Sequence, residues 1–122
     1  MPVAAALTGK TYLYATMLTT TDDILTQISH AVRQAEPEAE IILFGSRARG
    51  TARPDSDWDV LILLDGKVTL DREQKLYSLL SKVELATEEV LSVIVYENNY
   101  WRQILKDTPL YYDVNKEGVI LK

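Results

Sequence analysis

Asp57 and Asp59 stand one residue apart at the head of an apolar run, Asp57-Trp58-Asp59-Val60-Leu61-Ile62-Leu63-Leu64. If that run is a β-strand, alternation sends both carboxylates to one face and Trp58 and Val60 to the other. Two anions held together at the edge of a low-dielectric core repel each other, and one pKa rises unless a cation intervenes. Magnesium answers that need, because it takes hard oxygen ligands and commonly uses one or two carboxylates together with substrate phosphates. The alternative is an acidic strand start that simply faces water, which is the commoner meaning of a lone Asp-x-Asp.

A second constellation lies just upstream. Gly45 ends the apolar run Ile41-Ile42-Leu43-Phe44, and Ser46 can cap the following turn and leave backbone N–H groups to meet an anion. Arg47, Arg49 and Arg53 then gather three positive charges within seven residues of an otherwise acidic chain. Phosphate is the ligand such a loop would take. The plain reading is a Gly-Ser turn with solvated arginines. Two competing motifs fail by position: after Gly45-x-x-x-x-Gly50 a P-loop demands Lys and then Ser or Thr, where Thr51 and Ala52 stand. Asp55, Asp57 and Asp59 imitate the start of a calcium loop, but its sixth position is Val60 rather than Gly and its twelfth is Gly66 rather than Glu.

The elements that must position these groups are readable. Thr20 to Asp23 offer caps for a helix with Ile24, Leu25, Ile28, Ala31, Val32 and Ala35 on one face, ended by Pro37. Residues 41–44 and 57–64 read as strands buried on both faces, joined by the long polar turn SRARGTARPDS. Leu76, Leu79, Leu80 and Val83 mark an amphipathic helix over about residues 70–86, and residues 89–96 form a third strand. Asn98 or Asn99 can cap a short helix carrying Trp101, Ile104 and Leu105. Thr108-Pro109 starts another, and Gly118 releases a final strand over residues 119–121. The order αββαβααβ predicts an α/β (α+β) fold, a small mixed sheet flanked by helices.

Composition bounds the rest. A chain of 122 residues, 47% hydrophobic and 25% charged, suits one ordinary globular domain. Thirteen Lys and Arg against eighteen Asp and Glu give a net charge of −5 with no basic stripe, which argues against an extended nucleic acid as partner. The absence of cysteine removes disulfides, thiolate metal sites and a cysteine nucleophile, and fits a reducing compartment. The apolar runs are strand-sized and point to no membrane. The opening residues lack a secretory pattern, so a cytoplasmic location is expected. Residues 1–18 read as a flexible N-terminal extension and 19–122 as the domain. Met17 stands directly before the expected helix, as an upstream choice of start site would leave it.

Gly45-Ser46, ten residues, and then Asp57-Trp58-Asp59 between buried strands is a specific combination. It resembles the DNA polymerase beta-like nucleotidyltransferase superfamily, and the run GSRARGTARPDSDWDV resembles its minimal nucleotidyltransferase branch. The likeness extends from about residue 20 to the C-terminus, including DVNKEGVIL, with residues 44–60 the diagnostic part. It implies the polymerase beta-like fold and transfer of a nucleoside monophosphate, AMP from ATP, to a hydroxyl with loss of pyrophosphate. Gly45 and Ser46, with Arg47 and Arg49, would hold the triphosphate, although either arginine can instead pair with a nearby carboxylate. Asp57 and Asp59 would be the catalytic ligands of two magnesium ions, about 3.5–4 Å apart.

Small free-standing members of this branch often accompany a HEPN-domain protein and some modify it with adenylate. A HEPN-type partner in a toxin-antitoxin system is therefore implied, with an inactive nucleotide-binding antitoxin module as the alternative. Transfer to a small molecule such as an aminoglycoside would need an acceptor domain that is not evident here.

One feature departs from that pattern. The family usually places a third carboxylate on the next core strand, where this chain has Ser92; a hydroxyl is no base near neutral pH, so either Glu88 or Glu89 reaches in, a partner supplies the group, or catalysis is feeble. His30 falls opposite its helix's apolar face and reads as solvated, and Trp58 as core. Tyr100 with Trp101, or Tyr111 with Tyr112, could stack on a base but read more readily as packing.

Overall fold

The computed structural model describes residues 15–122. Helix α1 spans Ala15–Ala35, followed by β1 (Glu40–Phe44), α2 (Ser46–Arg49), β2 (Trp58–Leu64), α3 (Leu70–Thr87), β3 (Leu91–Glu97), α4 (Asn98–Gln103), α5 (Pro109–Glu117) and β4 (Val119–Leu121). The expected α/β architecture is present. The first helix starts at Ala15, ahead of the expected caps at residues 20–23, and the rest of the anticipated extension lies outside the described residues. A four-residue helix, α2, also replaces the start of the expected polar turn. Its sequence SRAR carries no apolar period, so only the backbone bonds from Arg49 N–H to Gly45 O and from Gly50 N–H to Ser46 O reveal it.

The sheet order is β3-β2-β1-β4. Strand β1 pairs antiparallel with both β2 and β4, whereas β2 and β3 run parallel, joined by the crossover helix α3. Helices cover both faces, which is why β1 and β2 are near-continuous apolar runs. On one face Ile41, Leu43, Trp58, Val60, Ile62 and Leu64 pack against Ile24, Leu25, Ile28 and Val32 of α1 and Leu76, Leu80 and Val83 of α3. On the other, Ile42, Leu61 and Leu63 meet Trp101 of α4 and Val114 of α5. Each fully buried aliphatic side chain contributes about 1.5–3 kcal/mol.

Local chemistry fixes the helix ends. Thr69 Oγ1 accepts from Arg72 N–H at the start of α3, and Thr108 Oγ1 accepts from Tyr111 N–H at the start of α5, with Pro109 in the first turn as its sequence predicts. The residue before α4 is Glu97; Asn98 lies inside that helix, where its Oδ1 accepts from Arg102 Nε. Arg72 clamps α1 to α3 through both oxygens of Glu36 at 2.7 and 2.8 Å and also donates to the carbonyls of Asp65 and Lys67. The Arg72 hydrogen bond holds the Glu36 carboxyl below its ordinary range.

Candidate functional site

Asp59 belongs to the sheet face shared with Leu61 and Leu63, at the end where β2 begins. It pairs in register with Phe44 on β1 and with Ser92 on β3, so the last residue before Gly45 lies on one side and Ser92 on the other. Gly45 turns the chain at φ 75° and ψ −161°. A methyl group there would fall 2.1 Å from Asp59 Oδ2. The bend and the carboxylate therefore share one small space, and only glycine leaves room for both.

Asp57 precedes the strand and is exposed. Burial is the main cause that raises the Asp59 pKa above its ordinary value, and the neighbouring Asp57 charge adds to it. A hydrogen bond with Ser92 and the charge of Arg49 act in the opposite sense, while Glu117 adds to the rise. The expected repulsion within the Asp-x-Asp pair is thus present, and Ser92 occupies the strand position where a third carboxylate was anticipated.

Two of the three loop arginines, Arg47 and Arg49, have side-chain partners. Arg47 donates to the Ser56 carbonyl at 2.9 Å and the Pro54 carbonyl at 3.2 Å, reaches Glu89 Oε1 at 3.4 Å, and lies 4.4 Å from the centre of the Trp58 ring. Trp58 Nε1 donates to the same Glu89 oxygen at 2.6 Å. Arg47, Trp58 and Glu89 thereby pin the segment that delivers Asp57. Glu89 is engaged in this clamp rather than beside Asp59, and Trp58 is core as its sequence position suggested.

Arg49 instead meets Glu117, at the end of α5, with Nη1 2.9 and 3.1 Å from its two oxygens. Gly45 N–H donates to Glu117 Oε1 at 3.3 Å. Sequence reasoning missed Glu117, which is seventy-two positions from Gly45 and looks like an ordinary acidic helix end. The pairing of β4 with β1 brings it there, and the only available signal was its place in the closing segment DVNKEGVIL.

The aromatic candidates are mostly packing. Trp101 is buried and stacks on Tyr96 at 6.1 Å, with Tyr111 at 5.2 Å. His30 is exposed, as expected. Among the described residues no group of three or more His, Cys, Asp or Glu is arranged to hold a metal ion, and no helix is long and apolar enough to cross a membrane.

Comparison with known proteins places the chain in a family. The model of the nucleotidyltransferase domain family matches residues 25–118. A relative from Methanocaldococcus jannaschii, named "Putative protein adenylyltransferase MJ0141", is 35% identical over 71 residues, covering 58% of this chain and 72% of the relative. A crystal structure described as a toxin-antitoxin with AMP-PNP superposes with a TM-score of 0.60 at 23% identity, over 80% of this chain and 72% of that one. The last likeness is one of fold.

Proposed function

The chain belongs to the nucleotidyltransferase domain family, and from that premise we propose that it transfers AMP from ATP to a hydroxyl of a partner protein. The observation that supports this reading is the close approach of the Gly45 bend to the Asp59 carboxylate, where a turn that would hold phosphate meets an acidic group that would hold a divalent ion. The adenylyltransferase name of the relative supports a protein acceptor. A HEPN-type protein in a toxin-antitoxin pair is the partner that the resemblance of the sequence favours.

The residues fit a magnesium site in chemistry: Asp59 is destabilised as an anion by burial and by Asp57, so a cation at this point relieves both. Asp57 and Asp59 would hold the ions, which would supply activation of the acceptor oxygen and neutralisation of the departing pyrophosphate. Gly45, Ser46 and Arg49 bind and orient the phosphates. Arg47 acts through the clamp with Trp58 and Glu89, fixing the approach of Asp57. Positioning and charge stabilisation supply most of such catalysis, so a small domain suffices.

The second reading is a binding module that retains the pocket and works by covering its partner. Ser92 beside Asp59, where a carboxylate would act as base, favours it. The two readings separate in one assay: purified protein, magnesium, ATP labelled at the α-phosphate, and the protein encoded beside it. Label transferred to that protein, and lost in Asp57→Ala/Asp59→Ala, supports the enzyme. A tight complex without transfer supports the module.

A further inference from the structure

The donors reserved for phosphate in the proposed function are already in use. Glu117 Oε1 accepts from Gly45 N–H at 3.3 Å and from Arg49 Nη1 at 3.1 Å, and Oε2 accepts from Arg49 at 2.9 Å. A carboxylate and a phosphate present the same recognition surface, a delocalised anion with paired acceptor oxygens that suits a guanidinium. The same backbone N–H and the same guanidinium nitrogen cannot bind both at full strength.

We propose that Glu117 is a displaceable internal anion that fills the phosphate seat on Gly45 and Arg49 in the nucleotide-free protein, and that an incoming triphosphate exchanges with it. The identity of the ligand rests on the proposed function; the exchange itself requires only an oxyanion. Two features make exchange feasible. The Arg49 side chain is 50% exposed, so an entering ligand reaches it directly. Glu117 is the last residue of α5, so its side chain can swing away without unwinding a helix interior. A role as metal ligand is not what the contacts describe, since the carboxylate faces an N–H group and a guanidinium.

A closed seat lowers apparent affinity by the fraction of molecules in which it is open. One partly exposed ion pair and one charge-assisted backbone bond keep it closed in about nine molecules in ten. Freeing it therefore raises oxyanion affinity by about tenfold.

The test is calorimetric titration of wild type, Glu117→Gln and Glu117→Ala, first with inorganic tripolyphosphate in the absence of divalent ions and then with ATP and magnesium. Glu117→Gln keeps the side-chain shape, and Glu117→Ala removes the competitor entirely. Glu117→Ala is expected to bind tripolyphosphate about tenfold more tightly than wild type and Glu117→Gln more tightly by a smaller factor, since its amide oxygen still accepts from Gly45 N–H and Arg49, and Arg49→Ala should abolish the gain. Unchanged or weaker tripolyphosphate binding by both variants overturns the proposal. So does a loss of binding seen only with magnesium, which would make Glu117 an ion ligand. If tripolyphosphate prefers the variants while magnesium-ATP binds to none of the proteins, the seat stands and the nucleotidyl-transfer reading falls.

Discussion

Replacing Gly45 by alanine should damage both the fold and the site, by amounts that can be separated. At φ 75° and ψ −161° its backbone occupies a region populated almost only by glycine, where a side chain costs on the order of 1–3 kcal/mol. The new methyl would also lie 2.1 Å from Asp59 Oδ2 and 3.0 Å from Cγ, so the carboxylate must rotate away or the bend must open. Gly50 is the control: it is left-handed at φ 82° and ψ 17°, with nothing within 4 Å of an added methyl. Alanine there costs about 1–2 kcal/mol and leaves Asp59 alone.

For a chain of this length 1 kcal/mol corresponds to about 4 °C in Tm. Gly50→Ala should therefore lower Tm by about 4–8 °C, and Gly45→Ala by about 4–12 °C from backbone strain alone, with the contact adding to it. Adding Asp59→Ala removes Oδ2 and Cγ and leaves Cβ at 3.2 Å. A double-mutant cycle in urea should then show a favourable coupling of about 1 kcal/mol or more for Gly45→Ala with Asp59→Ala, and near zero for Gly50→Ala with Asp59→Ala. Equal costs at the two glycines, with no coupling at either, would refute the claim that bend and carboxylate compete for one space.

Other perturbations have defined outcomes. Glu89→Leu leaves the buried Trp58 indole N–H without its acceptor and should cost about 1–3 kcal/mol in urea unfolding, much of it recovered in a Trp58→Phe background; an equal cost in both backgrounds argues against the clamp. Burial and Asp57 raise the Asp59 pKa above the ordinary 3.8, so the folded chain binds a proton more readily there and stability falls as pH rises through that window. Asp59→Asn should accordingly match wild type in Tm below pH 3.8 and exceed it at pH 7, and a lower Tm at pH 7 would contradict the sign. Breaking the Arg72 clamp with Arg72→Met should cost about 1–3 kcal/mol, part of which wild type also loses as acid protonates Glu36; an Arg72→Met protein as stable as wild type at pH 7 would count against it.

Much of the architecture is legible because burial on two faces leaves a plain mark: Ile41 to Leu43 and Val60 to Leu64 could hardly be anything but central strands. Asp59 beside Ser92 was foreseeable only through the family resemblance, which sets a third group on the next core strand. What escaped depends on groups distant in sequence. Glu117 reaches Gly45 only because β4 returns to the edge of β1, and no local pattern encodes that return. Arg47 and Arg49 look alike in the loop, yet one is fixed by Trp58 and Glu89 and the other faces Glu117, a division that α2 imposes by pointing them in different directions. The four residues of α2 are too few and too polar to show a period, and the earlier start of α1 at Ala15 was hidden by threonines that resemble caps.

The proposed union of Asp57, Asp59 and the Gly45 bend into one site for a divalent ion and a triphosphate is tested most directly by titrating ATP, with and without magnesium, into wild type and into Asp57→Ala/Asp59→Ala, both verified as folded. Magnesium-dependent binding by wild type that is lost in the double variant is the expected result. Binding of equal strength in both proteins, or binding by wild type that ignores magnesium, would contradict it.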